Sequence, residues 1–449
     1  MGAPELGVDG TGRLTGAAYL YPGTASGFAT EPALAITEAS RQSSFDRFGM
    51  GVAPAGDFDG DGTPDFAVVS RFEDQPATFG TGYVPDASCT GTRNDVGAVL
   101  VFSGATSGAP SQTPIFMYFG PQVGAGLRNI DGGFDANGDG RGDLIVGNLE
   151  LDPSGRANAG GIVLIRGRAR DAQGRIQVAC APDFQLDGRT ANDQLGLTVT
   201  AVGDLDGDGC DEVATGAPFE DPNLTNEGTV RVIFGWGGAG CPASPQMVVL
   251  AAGRANAQGG RGLGGGGDVD GDGVPDLAVG LPGFAVDGNT VGAAGVIYGA
   301  YVAGLPREPA QSATAPQRVL PMFDGTRPAA VVPGTTPGEE LGRSATLVDL
   351  GAHRRPRGRR EPVRQPLRHH PGRGGARLRV DGGRGAGGRA HGGLRRRASA
   401  PRGPGRGVGP RRPPGRPGDA PHRGLRRQRG GERRGLLVQL RRLLPLSSG

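Results

Sequence analysis

Apolar residues along the chain fall into short dense runs set between glycines and acidic residues, and two kinds of run recur. The first kind follows an acidic stretch at once, as Phe66 to Val69, Leu144 to Val146, Val213 to Thr215 and Leu277 to Val279. Runs this short, bounded by turn formers, suit buried strands rather than helices. The second kind lies between two glycines: "GAAYLYPG" from Gly16, "GAVLVFSG" from Gly97, "GIVLIRG" from Gly161, "GTVRVIFG" from Gly228 and "GAAGVIYG" from Gly292. Each unit therefore reads loop, strand, turn, strand, with little sign of helix, and about five units are visible.

The acidic stretches are copies of one loop. "DFDGDGTPD" from Asp57 returns as "DANGDGRGD" from Asp135, "DLDGDGCDE" from Asp204 and "DVDGDGVPD" from Asp268, with starts 78, 69 and 64 residues apart. Oxygen-bearing side chains stand at positions one, three, five and nine, and glycine at four and six. Crowded carboxylates repel unless a cation gathers them. A hard divalent cation such as calcium takes about six to eight oxygen ligands, and glycine supplies the positive φ angles that a loop needs to wrap around it. The expected sets are Asp57, Asp59, Asp61 and Asp65 with the carbonyl of Thr63, and Asp135, Asn137, Asp139 and Asp143 with that of Arg141. The others are Asp204, Asp206, Asp208 and Glu212 with the carbonyl of Cys210, and Asp268, Asp270, Asp272 and Asp276 with that of Val274. About four Ca2+ sites are expected, structural rather than catalytic, each tying a loop to the strand that starts at its ninth residue.

An EF-hand would need a bidentate Glu at the twelfth position. Val68, Val146, Thr215 and Val279 stand there instead, so that alternative fails in every copy. Arg141-Gly142-Asp143 spells an adhesion tripeptide, but its aspartate is a ninth-position ligand and the loop would hold it. "GGRGLGGGGD" before the fourth loop is no phosphate loop, because no Gly-Lys-Ser/Thr follows and the chain has no lysine.

With Phe48-Gly49 before the first loop and Gly216-Ala217-Pro218 after the third, these units resemble FG-GAP repeats. Those build the seven-bladed β-propeller at the head of integrin α subunits and of many bacterial surface or secreted proteins. The Phe-Gly position reads as Leu195-Gly196 in the third unit and Leu263-Gly264 in the fourth. The resemblance covers roughly residues 1 to 350 and implies an all-β fold, a propeller of four-stranded blades, here incomplete. Units of 65 to 80 residues with abundant glycine turns suit the same architecture, and blades too small to bury a core alone would stack. Counting 24 residues from loop to glycine strand (204 to 228, 268 to 292) back from Gly16 puts a loop before residue 1, so the chain is expected to begin inside a repeat. The insertion around Cys89 is expected on a surface loop.

Charge divides the chain at residue 350. Residues 1 to 350 hold 20 Arg against 41 Asp and Glu, a balance of −21, whereas residues 351 to 449 hold 28 Arg against 4 acids, a balance of +24. All five histidines (His353, His369, His370, His391, His422) lie in the second part. The acidic part thus lacks imidazole and lysine to activate a nucleophile, and no catalytic function is expected of it. Carboxylate pairs such as Glu73 and Asp74 or Glu220 and Asp221 read as surface charge. The tail begins where a fifth loop is due, after "LGRSATLVDL", and runs as Arg, Gly and Pro: a disordered basic segment or the product of a reading-frame shift in GC-rich DNA. Its arginines would bind nucleic acid by counterion release, but it lacks aromatic residues for base stacking, so nucleic acid is not the expected partner.

Four cysteines (Cys89, Cys180, Cys210, Cys241) have no C-x-x-C spacing and allow two disulfides in three connectivities, or free thiols. No run reaches the roughly 18 to 20 apolar residues of a membrane span, and "MGAPELGVDG" shows no signal peptide. Weak calcium sites would nonetheless be empty in a cytosol poor in free calcium, which favours an exported protein, extracellular or at the cell surface. The function expected is that of a calcium-stabilised binding or adhesion scaffold for a protein or glycan ligand. The alternatives are the non-catalytic propeller of a larger secreted hydrolase and, third, a nucleic-acid binder acting through the tail.

Overall fold

The computed structural model describes residues 1–5, 16–24, 27–37, 46–105, 110–310, 318–323 and 329–347. All described residues belong to one compact unit, and the basic tail lies outside them.

The two recurrent apolar runs become neighbouring strands. In four sheets the strand after the acidic loop starts at the loop's ninth residue, as Asp65–Ser70, Asp143–Asn148, Glu212–Ala217 and Asp276–Leu281. It pairs antiparallel with the glycine-bounded run, Ala98–Phe102, Gly161–Ile165, Thr229–Phe234 or Ala293–Ile297. On its other edge lies the strand that precedes the loop: Phe48–Gly56, Asn129–Phe134, Thr198–Gly203 or Gly262–Gly267. A fourth strand completes each sheet, Pro114–Phe119, Phe184–Asp187, Gln246–Ala251 or Ala329–Pro333. These are propeller blades of four antiparallel strands, numbered here two to five. Blade one contributes Gly2–Ala3, Ala17–Leu20 and Leu34–Thr37. The first strands of blades two to five lie side by side in chain order.

Every second and third strand is buried along its whole length in blades three to five. The reason is that blades three and four have a sheet on both faces, while blade five has blade four on one side and the segment at Gly342–Thr346 against its first two strands, which turns a period-two pattern into a largely apolar run. Ala98, Leu100 and Phe102 pack toward blade one with Leu34 and Ile36, whereas Val99 and Val101 pack toward blade three with Leu144, Val146, Val163 and Ile165. Ile145, Ile162 and Leu164 meet Val213, Ile233 and Met247 between blades three and four. Val230, Val232 and Phe234 meet Leu277, Val279 and Ile297 between blades four and five. The core is thus a series of layers between blades.

The glycine ahead of each third strand is a contact point with the next blade. Gly16, Gly160 and Gly292 form parallel bridges with Phe48, Leu195 and Leu341, and Gly97 and Gly228 sit against Leu127 and Gly259 in the same way. This corrects the fourth-unit assignment. The place of Leu195-Gly196 is taken by Gly259-Gly260, since the Gly260 N–H donates to Gly280 O (3.2 Å) as the Gly196 N–H donates to Gly216 O (3.1 Å). Leu263-Gly264 lies inside the following strand.

Two connections leave their own blade. From blade three, Ile176–Ala179 crosses to the outer edge of blade two and pairs parallel with Pro114–Phe119, and Tyr83–Pro85 then adds to it. The Cys89 insertion is therefore stitched down, by this pairing and by a Cys89–Cys180 disulfide, rather than free. From blade five, Glu308–Pro309 and Val319–Pro321 likewise reach the outer edge of blade four. A second disulfide joins Cys210 to Cys241.

Blades approach closely at the second-strand glycines: a Cβ on Gly216 would stand 2.0 Å from Gly260 O. Gly216→Ala is expected to cost about 1–3 kcal/mol through overpacking in urea unfolding. Gly82→Ala, with nothing within 4 Å of the added atom, should stay within about 0.5 kcal/mol of the parent.

Candidate metal centres

Each acidic loop leaves the end of a first strand through a register shift, at Pro54/Gly56, Gly132/Phe134, Ala201/Gly203 and Gly264/Gly267. An irregularity there bends the strand and re-aims the residues after it. The loop then closes on itself with one hydrogen-bond scheme in all four copies. The position-six amide donates to the position-one carboxylate: Gly62 to Asp57 (2.9 Å), Gly140 to Asp135 (2.7 Å), Gly209 to Asp204 (3.1 Å) and Gly273 to Asp268 (3.0 Å). These four glycines have φ of 86°, 86°, 90° and 94°, while a Cβ on any of them would meet nothing within 4 Å. Backbone conformation, not space, demands glycine there.

The position-five amide donates to the position-three side chain, from Asp61 to Asp59 (3.0 Å), Asp139 to Asn137 (3.4 Å), Asp208 to Asp206 (3.1 Å) and Asp272 to Asp270 (3.1 Å). The amide of position seven donates to the position-five carboxylate, from Thr63 to Asp61 (2.8 Å), Arg141 to Asp139 (2.8 Å), Cys210 to Asp208 (2.9 Å) and Val274 to Asp272 (2.8 Å).

The ninth residue is different in kind. Asp65, Asp143, Glu212 and Asp276 are 4%, 0%, 0% and 1% exposed, and each accepts two backbone N–H bonds. One comes from position two, Phe58 (3.0 Å), Ala136 (2.8 Å), Leu205 (2.6 Å) or Val269 (2.6 Å). The other comes from just beyond the third strand, Gly104 (3.1 Å), Gly167 (2.8 Å), Gly235 (3.2 Å) or Gly299 (2.9 Å). Burial pushes these carboxyls up, Asp65 to about 6, Asp143 to about 7, Glu212 to about 8, and Asp276 in the same direction. The backbone amides oppose the rise.

Three triplets bring one oxygen from each member within 4.8 Å of the others: Asp57, Asp59 and Asp61; Asp204, Asp206 and Glu212; and Asp268, Asp270 and Asp276. Asp65, Asp208 and Asp272 stand outside them. The second loop, with Asn137 at position three, forms no such acidic triplet among the described residues. These donor sets are all oxygen and fit a hard divalent cation. In the first loop the fit has a further mark, since Asp57 Oδ1 is buried with no hydrogen-bond partner. Asp208 also meets Cys210 and Cys241, but those sulfurs are joined to each other and offer no thiolate.

Neighbouring loops are themselves connected. The Gly142 N–H donates to Asp57 O (3.0 Å) and the Asp211 N–H to Asp135 O (2.8 Å). The corresponding residue of the fourth loop is Pro275, which has no N–H to give. Two arginines also enter the loops, Arg170 on Asp59 and Asp61, and Arg307 on Asp206. Sequence reading missed both, because Arg170 lies 111 residues from Asp59 and no local pattern marks it.

Connections between second and third strands emerge at the other end of each antiparallel sheet, and there a cleft of about 790 Å3 is lined by Arg189, Asp193, Phe219, Glu220, Asn226 and Val319. Glu220 holds the buried Arg231 at 2.7 Å, so this carboxylate is structural rather than surface charge. Burial, then the nearby Glu220 charge, pushes Asp193 up to about 7. Its folded value exceeds the unfolded one of about 3.9, so its contribution to stability is full below pH about 4 and lost as pH rises through about 7. In melting experiments from pH 5 to 8 the parent should lose stability relative to Asp193→Asn as pH rises. A constant difference would contradict this.

Similarity to known proteins agrees with the repeat. An FG-GAP repeat family model matches residues 196–233, which hold the third acidic loop with its flanking strands. The chain is 31% identical over 247 residues to integrin alpha-5 of Xenopus laevis, covering 54% of this chain and 20% of that protein. It is 34% identical over 155 residues to human integrin alpha-IIb, covering 33% and 14%. Phosphatidylinositol-glycan-specific phospholipase D of Bos taurus is 34% identical over 157 residues, covering 34% and 18%. The chain thus spans a fifth or less of the length of these relatives.

Proposed function

On the premise that this chain is an FG-GAP-repeat, integrin α-like protein, we propose that its blades form a calcium-stabilised binding scaffold, extracellular or at the cell surface, for a protein or glycan ligand. The observation that carries this reading is the fourfold identity of the acidic loops. Four loops of different sequence close with the same three bonds from backbone N–H to side-chain oxygen and the same buried ninth carboxylate. Positions one, three and five with the carbonyl of position seven would hold the ion, and the ninth carboxylate would complete its shell. An ion there neutralises the loop and fixes the first strand to the second.

Magnitudes support a structural role. Extracellular calcium modules bind at about 0.1–1 mM, so a site of about 0.1 mM affinity in about 1 mM calcium adds roughly 1.4 kcal/mol. Summed over the loops, this is comparable with the whole stability of a domain. The two disulfides also fit an oxidising compartment. Among the described residues no helix is long and apolar enough to cross a membrane.

The phospholipase match favours a second reading, in which these blades are the non-catalytic propeller of a larger secreted hydrolase. Both readings require the same cation loops. Melting of the full chain in 1 mM calcium should exceed that in chelator by about 5 °C or more, and Asp57→Asn with Asp59→Asn should reduce the gain. Equal melting temperatures with calcium and with chelator would reject the metal assignment. Hydrolysis of a glycosylated phosphatidylinositol by the purified chain would overturn the scaffold reading.

A further inference from the structure

The two connections that cross between blades each deliver an arginine to an acidic loop. On the way from blade three to the edge of blade two, Arg170 places Nε on Asp59 and Nη2 2.8 Å from Asp61 Oδ2, with Nη2 also 2.6 Å from Ser103 Oγ. Six residues later the chain pairs with blade two as Ile176–Ala179. On the way from blade five to blade four, Arg307 places Nη1 2.7 Å from Asp206 Oδ2, and its guanidinium lies 3.6 Å from the centre of the Phe234 ring. The next residues are Glu308–Pro309, paired to blade four. Thus the loops of blades two and four each receive an arginine from the following blade. In the other two, the ion pair among the described residues is Arg141 with Asp139, 3.6 Å apart within one loop, and none falls on Asp268, Asp270, Asp272 or Asp276.

Asp59, Asp61 and Asp206 occupy the third and fifth positions, which are needed to surround a cation. A guanidinium bonded to these oxygens uses the same lone pairs and brings a permanent positive charge to the site, because arginine does not deprotonate in proteins. A divalent ion can enter only by displacing it or by accepting an incomplete shell. We infer that Arg170 and Arg307 are built-in competitors of the cation, which divide the four loops into two latched and two open sites. Cation entry at a latched loop releases the arginine and loosens the crossing strand beside it. This rests on the metal reading above and adds to it an unequal distribution of affinities and a connection between metal and the outer edge of the blade.

The experiment is calorimetric calcium titration of the full chain, parent against Arg170→Gln, Arg170→Lys and Arg307→Gln, with hydrogen exchange followed over residues 176–179. In the parent the sites of blades two and four should be weaker than that of blade five by about tenfold or more. Arg170→Gln should move one site into the tight class, Arg307→Gln the other, and Arg170→Lys, which keeps the charge but not the forked contact, should fall between the parent and Arg170→Gln. Calcium should also speed exchange at 176–179 in the parent but not in Arg170→Gln. Arg170 is 42% exposed along its side chain, so its replacement decides the matter even if Arg307→Gln does not fold. Four equal sites in the parent, or a titration unchanged by Arg170→Gln, would overturn the inference while leaving the metal reading intact. No calcium binding by any form would reject both.

Discussion

A buried carboxylate that accepts two backbone N–H groups is the interaction on which each blade depends. Asp65, Asp143, Glu212 and Asp276 begin the second strand, yet each also holds the second residue of its loop and the chain just past the third strand. Three consecutive segments are thereby fixed at one point. Loss of such a partner would leave two amides unsatisfied in the interior, a cost of about 1–3 kcal/mol for each group. The arrangement is strained in one respect, since burial works against the charge on the same carboxyl. A cation in the adjoining loop would relieve that opposition, and so the fold and the proposed metal role belong to one electrostatic problem.

Much of this was legible in the sequence because it is local and repeated. The four loops, the strand starting at the ninth residue and the glycine-bounded third strands could be read directly, since spacing and residue type encode them within about ten positions. The fourth strands were not read: Pro114–Phe119 and Phe184–Asp187 follow connections of different length and share no common pattern. Pairing over long separations was equally hidden. The choice of Cys89 with Cys180, 91 residues apart, and the crossing of Ile176–Ala179 to blade two depend on which blades are neighbours. The misplacement at Leu263-Gly264 has a similar origin. Gly259-Gly260 carries no side chain to announce the equivalent position, and only its backbone bond to Gly280 does so.

Layered burial explains why the units can be so varied in sequence and still stack. The second and third strands of blades three to five need only be largely apolar on both faces, and the closest approaches between blades are made by backbone, glycine against the chain that follows. Side chains at the exposed ends are then free to differ from unit to unit. The similarity to integrin alpha subunits and to a phospholipase D spans only part of each of those proteins. It therefore identifies the kind of repeat rather than the ligand.

Whether the four loops hold calcium can be seen in crystals grown in calcium and measured at a long X-ray wavelength. An anomalous peak is expected in each of the four loops, about 2.3–2.6 Å from the side-chain oxygens of positions one, three and five and from the carbonyl of position seven. Loops without peaks in fully calcium-equilibrated crystals, or peaks confined to other parts of the blades, would contradict it.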